Sequence, residues 1–240
     1  LPAVWIPTSD KQKAQMAGYT VVDPSTVITT HIKETIKRHA SELLGRQETQ
    51  ALIDKFKESN PKVIEELIPD VLSLGKVQKV LQNLLKEQIS IRDLRTILEQ
   101  LADYGPSTQD TDILTEYVRQ AMARPITKQF QSADGSLSVV TLDRGVEELI
   151  QSSIQKTEVA SFLALEPTVA EKLLVKLQEA VEAMSPQIET SPVLLASPGI
   201  RHHLRKFVER FIPDLAVLSH SEIIPSVQIK TLKVVDLNAN

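Results

Sequence analysis

Apolar positions recur every three to four residues through most of the first half of the chain. Val77, Val80, Leu81, Leu84 and Leu85 fall on one helical face, and Ile91, Leu94, Ile97, Leu98 and Leu101 on another. From Arg46 to Met122 every strong signal is helical, with Ser73 and Ser90 at positions suited to N-caps. Asn60-Pro61, Pro69 and Gly105-Pro106 cut the run into short pieces. Short connections between amphipathic helices predict one all-helical unit, a compact bundle or superhelical stack, over residues 44–123.

Ahead of it the pattern predicts a short strand over Ala3–Ile6, a helix over Ser9–Ala17, and a strand over Tyr19–Val22. Asp23-Pro24 then opens a helix, with Asp as N-cap and Pro at a position where a missing N–H costs nothing. Ile28, Ile32 and Ile36 predict its buried side, and the helix runs to Leu43 before Gly45. Thr26, Thr30, Lys33 and Lys37 share the other side, which should face water or a partner.

After Arg124-Pro125 the period changes, and a new domain is expected over 124–240. Ile126–Gln131 and Leu137–Leu142 read as two strands of a hairpin around Asp134-Gly135. Helices follow at Asp143–Lys156, Pro167–Met184 and Pro198–Phe211, with strands at Val193–Ala196, Leu215–Ser219 and Ser226–Val235. This alternation predicts a small mixed sheet covered by helices. The expected class is therefore α+β and multidomain.

Composition narrows the function classes. Hydrophobic residues make up 42% and charged residues 24%, as in ordinary globular domains, but aromatics are only 4%, leaving little surface for stacking bases or sugars. A net charge of −4 argues against a dominant polyanion-binding role. No cysteine means no disulfide framework and no thiolate for zinc. No stretch approaches the ~20 apolar residues needed to cross a bilayer. The opening Leu1–Ile6, apolar and without an initiating Met, reads as an internal point of a longer chain.

No reactive centre is encoded in an obvious pattern. His31 and His39 lie eight residues apart on one helix, and adjacent His202 and His203 point about 100° apart, so neither pair converges on a metal. The seven glycines form neither G-x-G nor G-x-x-x-x-G-K, so no phosphate cradle and no ATPase is expected. There is no G-x-S-x-G elbow, and Glu65-Glu66 and Glu147-Glu148 sit where solvated helix faces are expected. Neither catalytic residues nor a cofactor can be nominated.

Two charged clusters carry sharper readings. Arg201–Arg210 could be a nucleic-acid recognition helix, which makes a regulatory DNA-binding protein using 198–211 the alternative function. The plainer reading buries Leu204, Phe207, Val208 and Phe211 and leaves the charges in water. In Ile91-Arg92-Asp93-Leu94-Arg95, the opposite charges of Arg92, Asp93 and Arg95 flank a core stripe and are candidate contacts between helices or between subunits.

Three long blocks resemble a known family. GYTVVDPSTVITTHI at Gly18–Ile32, VLQNLLKEQISIRDLRTILEQLADYG at Val80–Gly105 and PVLLASPGIRHHLRKFVERFIPDLAVLSHSEI at Pro192–Ile223 are similar, in order, to the FlhA/LcrD/InvA (FHIPEP) export-gate family of flagellar and type III secretion systems. The flagellar branch is the nearer in overall likeness.

The resemblance implies the C-terminal cytosolic region of a protein anchored in the bacterial inner membrane by a preceding N-terminal region. It implies a nonameric ring that docks export chaperones of the FliS, FliT and FlgN type with their cargo, orders their export, and meets other gate and export-ATPase components, with no nucleic acid and no cofactor. By similarity, residues 1–23 end a ferredoxin-like second subdomain and 24–43 are a helix of the first. Residues 44–123 would be the helical third subdomain and 124–240 a thioredoxin-like fourth. The family's docking threonine matches Thr30; Thr26 and Lys33 join it by helical adjacency.

Overall fold

The computed structural model describes residues 4–157, 161–184, 188 and 191–238. A 3₁₀ turn at Thr8–Asp10 leads into α1 (Lys11–Met16). Two helices follow, α2 (Pro24–Arg38) and α3 (Ala40–Leu43), where one continuous helix is expected. The break is at His39, whose φ of −103° leaves the helical range. Val4–Ile6 and Tyr19–Val22 are not strands; no neighbouring strand pairs with them among the described residues. Ala3 lies outside the described residues.

The helical unit consists of α4 (Arg46–Lys57), α5 (Pro61–Leu67), α6 (Leu74–Lys86), α7 (Leu94–Tyr104), α8 (Thr111–Ala121) and α9 (Ala123–Phe130). Caps define several starts. Ser73 Oγ accepts from Lys76 N at 3.4 Å, and Asp110 Oδ1 accepts from Asp112 N at 2.8 Å. Ser90 caps nothing: the chain stays irregular from Gln88, which has a φ of 58°, and α7 begins only after Asp93.

The expected hairpin is absent, because Ile126–Gln131 belongs to α9 and its end. Ile126, Thr127 and Phe130 are buried along one side of that helix, a spacing that a short apolar run cannot distinguish from a strand. The Asp134-Gly135 turn does form, with Gly135 at a φ of 79°, but it delivers a single strand.

That strand, β1 (Leu137–Leu142), is followed by α10 (Arg144–Ser152). The expected helix to Lys156 stops early, since β2 (Ile154–Lys156) pairs antiparallel with β3 (Ser161–Leu163) in a small ribbon. Then come α11 (Pro167–Met184), β4 (Val193–Ala196), α12 (Pro198–Val208), β5 (Ala216–Ser219), a 3₁₀ turn His220–Glu222, and β6 (Ile229–Val235). The main sheet has the order β5-β4-β1-β6 and every pair in it is parallel, not mixed as expected. Each strand is reached by a crossover, so all enter from the same end.

The sheet is the wall between two cores. Leu137, Val139, Val193, Leu195 and Leu218 face the helical unit and join a cluster that reaches back to Leu44. Val140, Leu142, Leu194, Ala196 and Val217 face the other way, against Val146 and Ile150 of α10, Leu173 and Leu177 of α11, and Ile200 and Leu204 of α12. The alternation is the two-residue period of a strand buried on both faces. Each fully buried Leu, Ile or Val contributes about 1.5–3 kcal/mol. Packing therefore runs unbroken across residue 124.

Candidate functional site

Helix α2 behaves unlike the rest. None of its 15 residues is buried. Thr26, Thr30 and Lys33 all lie on exposed surface, and Thr26 Oγ1 donates to Asp23 Oδ2 at 3.2 Å, a side-chain link in place of the expected cap on the backbone. Ile28, Ile32 and Ile36, expected as its buried side, are 57%, 52% and 52% exposed. Nothing among the described residues covers that stripe; the helix rests mainly on α3. Among the described residues both sides of α2 are exposed.

Arg92, Asp93 and Arg95 border a shallow groove of about 290 Å³ whose apolar members are Leu52, Phe56 and Leu94. Asp93 caps α7, its Oδ1 accepting from Thr96 N at 3.2 Å and its Oδ2 from Thr96 Oγ1 at 2.7 Å. Arg95 Nη2 donates to Asn60 Oδ1 at 2.9 Å, tying α7 to the start of α5. The groove's rim is net cationic through Lys55, Arg92 and Arg95.

The largest electrostatic feature was not anticipated. Arg119 on α8 and Arg201 on α12 are 1% and 0% exposed, and three carboxylates surround them. Arg119 donates from Nε and Nη2 to the two oxygens of Glu222, at 2.9 and 2.8 Å, and from Nη1 to Glu87 Oε2 at 3.0 Å. Arg201 donates to Glu87 at 2.6 and 3.1 Å, to Glu116 Oε2 at 2.6 Å, and also to Glu116 Oε1. Burial acts to raise the Glu87 carboxyl, but Arg119 and Arg201 outweigh it and hold the pKa down to about 2.

These contacts overturn the expectation that the charges of α12 are solvated. Arg201 Nη1 also donates to Val217 O at 3.2 Å, and Arg205 Nη1 to Leu215 O at 2.7 Å, so the two arginines bond one carbonyl of edge strand β5 and one just ahead of it. Lys206 pairs with Asp112 at 2.8 Å, as does His202 at 3.3 Å. A helix whose cations are spent internally has little charge left for phosphates. Phe211, expected in the core, is 64% exposed because α12 ends at Val208. Glu147 is not a solvated carboxylate either: its Oε1 accepts from Ser197 N at 2.9 Å, at the start of α12.

Among the other described residues, the histidines are candidates for metal binding and catalysis. No group of three or more metal-ligating side chains forms among the described residues. His203 Nε2 lies 2.9 Å from Ser161 Oγ, but its Nδ1 is buried with no partner among the described residues, so no third group orients the ring. No helix among the described residues is long and apolar enough to cross a membrane.

Comparison with known proteins settles the family, because the FHIPEP family profile matches residues 1–228. The chain belongs to the FHIPEP family. It is 49% identical over 237 residues to the flagellar biosynthesis protein FlhA of Bacillus subtilis, covering 99% of this chain and 35% of that relative. The chain thus spans about a third of the length of the curated FHIPEP relatives it matches. Among solved structures, the Chlamydia pneumoniae CdsV and CdsO complex matches with a TM-score of 0.87 at 33% identity, covering 97% of this chain and 68% of that one. The nonameric SctV-C of enteropathogenic Escherichia coli matches with a TM-score of 0.82 at 30% identity, over 95% and 68%. The fold of this chain is thus similar to those of CdsV and SctV-C.

Proposed function

We propose that this chain forms part of the cytosolic docking platform of a flagellar protein-export gate, binding chaperones with their cargo and ordering their export without making or breaking a covalent bond. The observation that carries the reading is α2: a 15-residue helix with no buried side chain, presenting Thr26, Thr30 and Lys33 on one side and an isoleucine stripe on the other. The polar stripe of Thr26, Thr30 and Lys33 is the kind of exposed rim that suits reversible helix and groove recognition. Membership of the FHIPEP family and the likeness to FlhA supply the context.

Within that reading, α2 and α3 belong with a first subdomain, residues 1–23 with a ferredoxin-like second, 44–123 with the helical third, and 124–240 with a thioredoxin-like fourth. The partners are chaperones of the FliS, FliT and FlgN type. The nonameric SctV-C neighbour supports a ring, in which Arg92, Asp93 and Arg95 meet an adjacent subunit. The CdsV and CdsO complex supports contact with a further secretion component. The platform lies at the cytoplasmic face of the inner membrane, held by the N-terminal region of the full protein.

The test is capture of purified chaperone and cargo complexes by the full-length protein and by Thr30→Asp. A charge placed at the centre of the docking face should weaken capture about tenfold. Equal capture by the two proteins removes Thr30 from the site.

A further inference from the structure

The ribbon of β2 and β3 stands apart from the main sheet. It pairs Ile154 with Leu163, Gln155 with Phe162 and Lys156 with Ser161, and a two-stranded ribbon of this size is marginal in water unless it lies on something. Its β3 strand lies on α12. Ile154 and Leu163, both half-buried, supply the apolar part of that hold by packing against the core shared by α10, α11 and α12. The polar part is the 2.9 Å contact between His203 Nε2 and Ser161 Oγ.

That contact suits a neutral imidazole. The other ring nitrogen, Nδ1, is buried with no hydrogen-bond partner among the described residues, so a proton placed there would have nothing to donate to. An unpaired charged group costs more than an unpaired neutral one. The surroundings weigh the same way: His202 and Lys206 on α12 and Lys156 on β2 face the ring, against the carboxylate of Asp112 on α8. Asp112 is itself engaged by Lys206 at 2.8 Å and by His202 at 3.3 Å. Burial first, and then His202 and Lys206, push the His203 imidazole below its ordinary 6.5.

We propose that His203 is an acid-sensitive latch, holding the β2–β3 ribbon on α12 while neutral and letting it go when protonated. Undocked, the imidazole regains water on the side that β3 covers. Release bares Ile154 and Leu163, cross-strand partners on one face of the ribbon, while Phe162 on the other face is exposed already. A histidine held below its free value favours the docked ribbon above pH 6.5, and the preference is lost as the pH falls from 6.5 through the lowered value. Asp112 and Glu87 are held low and stay ionised throughout that interval. The latch concerns the ribbon alone and stands whether or not α2 docks a partner.

Hydrogen exchange of the full-length protein, read in peptides covering residues 153–164 and corrected for the intrinsic pH dependence of exchange, measures the hold. The Ala164 amide, bonded to Ser153 O at 2.9 Å, lies in that stretch. Protection should fall about threefold to tenfold between about pH 7.5 and 5.5, the range for losing one hydrogen bond. His203→Gln keeps a polar group beside Ser161 but cannot titrate, so its protection should be flat over the same interval. Ser161→Ala removes the contact without touching the histidine and should lower protection about threefold at the upper pH. The latch is overturned by a wild-type protein whose protection does not fall, by an equal fall in His203→Gln, or by unchanged protection in Ser161→Ala. A fall shared equally by peptides of α7 is a general loosening and overturns it too.

Discussion

Arg119 grips Glu222, 103 residues further along the chain, through two parallel hydrogen bonds of 2.9 and 2.8 Å. The pair joins α8 of the helical unit to the turn after β5. Arg201 extends the join from α12 back to Glu87 and Glu116. Salt bridges between exposed residues contribute little, but breaking a buried set leaves charges without partners.

Arg201→Met should therefore lower stability by about 3–5 kcal/mol, because Glu116 would lose its guanidinium partner and Glu87 one of its two, while both stay largely buried. Arg201→Lys should rescue only part of it, since an ammonium cannot make the two-pronged contacts of a guanidinium. Urea denaturation followed by circular dichroism checks both, and a loss within 0.5 kcal/mol for either would contradict the account.

The same network sets an acid limit. Glu87 in the folded protein has a pKa of about 2 against an ordinary 4.5, so its contribution is complete above pH 4.5 and is lost as the pH falls toward 2. Asp112 is lowered as well, chiefly by its bond to His202, and acts in the same direction. Stability measured from pH 7 to pH 3 should decline below pH 4.5, and Glu87→Gln should make that decline shallower. An unchanged slope in Glu87→Gln would assign the acid limb to other groups.

Two glycines should respond oppositely to alanine. At Gly105 an added Cβ would meet Val71 Cγ1 at 2.5 Å and the Leu101 carbonyl oxygen at 2.6 Å, so Gly105→Ala should cost about 1–3 kcal/mol. At Gly75 the nearest atom is the end of the flexible Arg46 side chain, at 2.8 Å, which can move aside. Gly75→Ala should stabilise α6 by up to ~1 kcal/mol through helix propensity. Melting temperatures of the two variants, shifted in opposite directions, are the check.

Asp93 offers a local measure of the same kind. Its carboxylate accepts from both the amide and the hydroxyl of Thr96, and Asp93→Ala should cost about 1 kcal/mol and raise hydrogen exchange in the first turn of α7. Exchange confined to wild-type rates would show that the cap is dispensable.

The parts of the fold that were legible were those governed by local period. The stripes of α6 and α7, the strand Val193–Ala196 and the helix Pro167–Met184 all follow from spacing and flanking residues. Ile126–Gln131 misled because a run of six residues fits either period, and only Thr127, bonded to the backbone of Glu222 and Ile224, shows why the helix wins. Arg201 misled for a different reason. Its neighbours His202, Arg205 and Lys206 make the segment look like a water-facing surface, while the carboxylates that draw it inward lie up to 114 residues away. No window of sequence contains both partners. Thr26, Thr30 and Lys33 were placed on an open face by helical spacing alone, whereas the exposure of Ile28, Ile32 and Ile36 depends on what stands opposite them, which spacing does not encode.

The order of strands has a consequence for how the molecule is made. β1 pairs with β6, and Glu222 sits between β5 and β6, so both are synthesised after the residues they complete. While a ribosome is still extending the chain, Leu137 and Val139 lack one flanking strand and Arg119 lacks its forked acceptor. The helices already outside the exit tunnel must wait with an unfinished wall, and a nascent chain stalled before Ile229 is the form most exposed to proteases and to sticking.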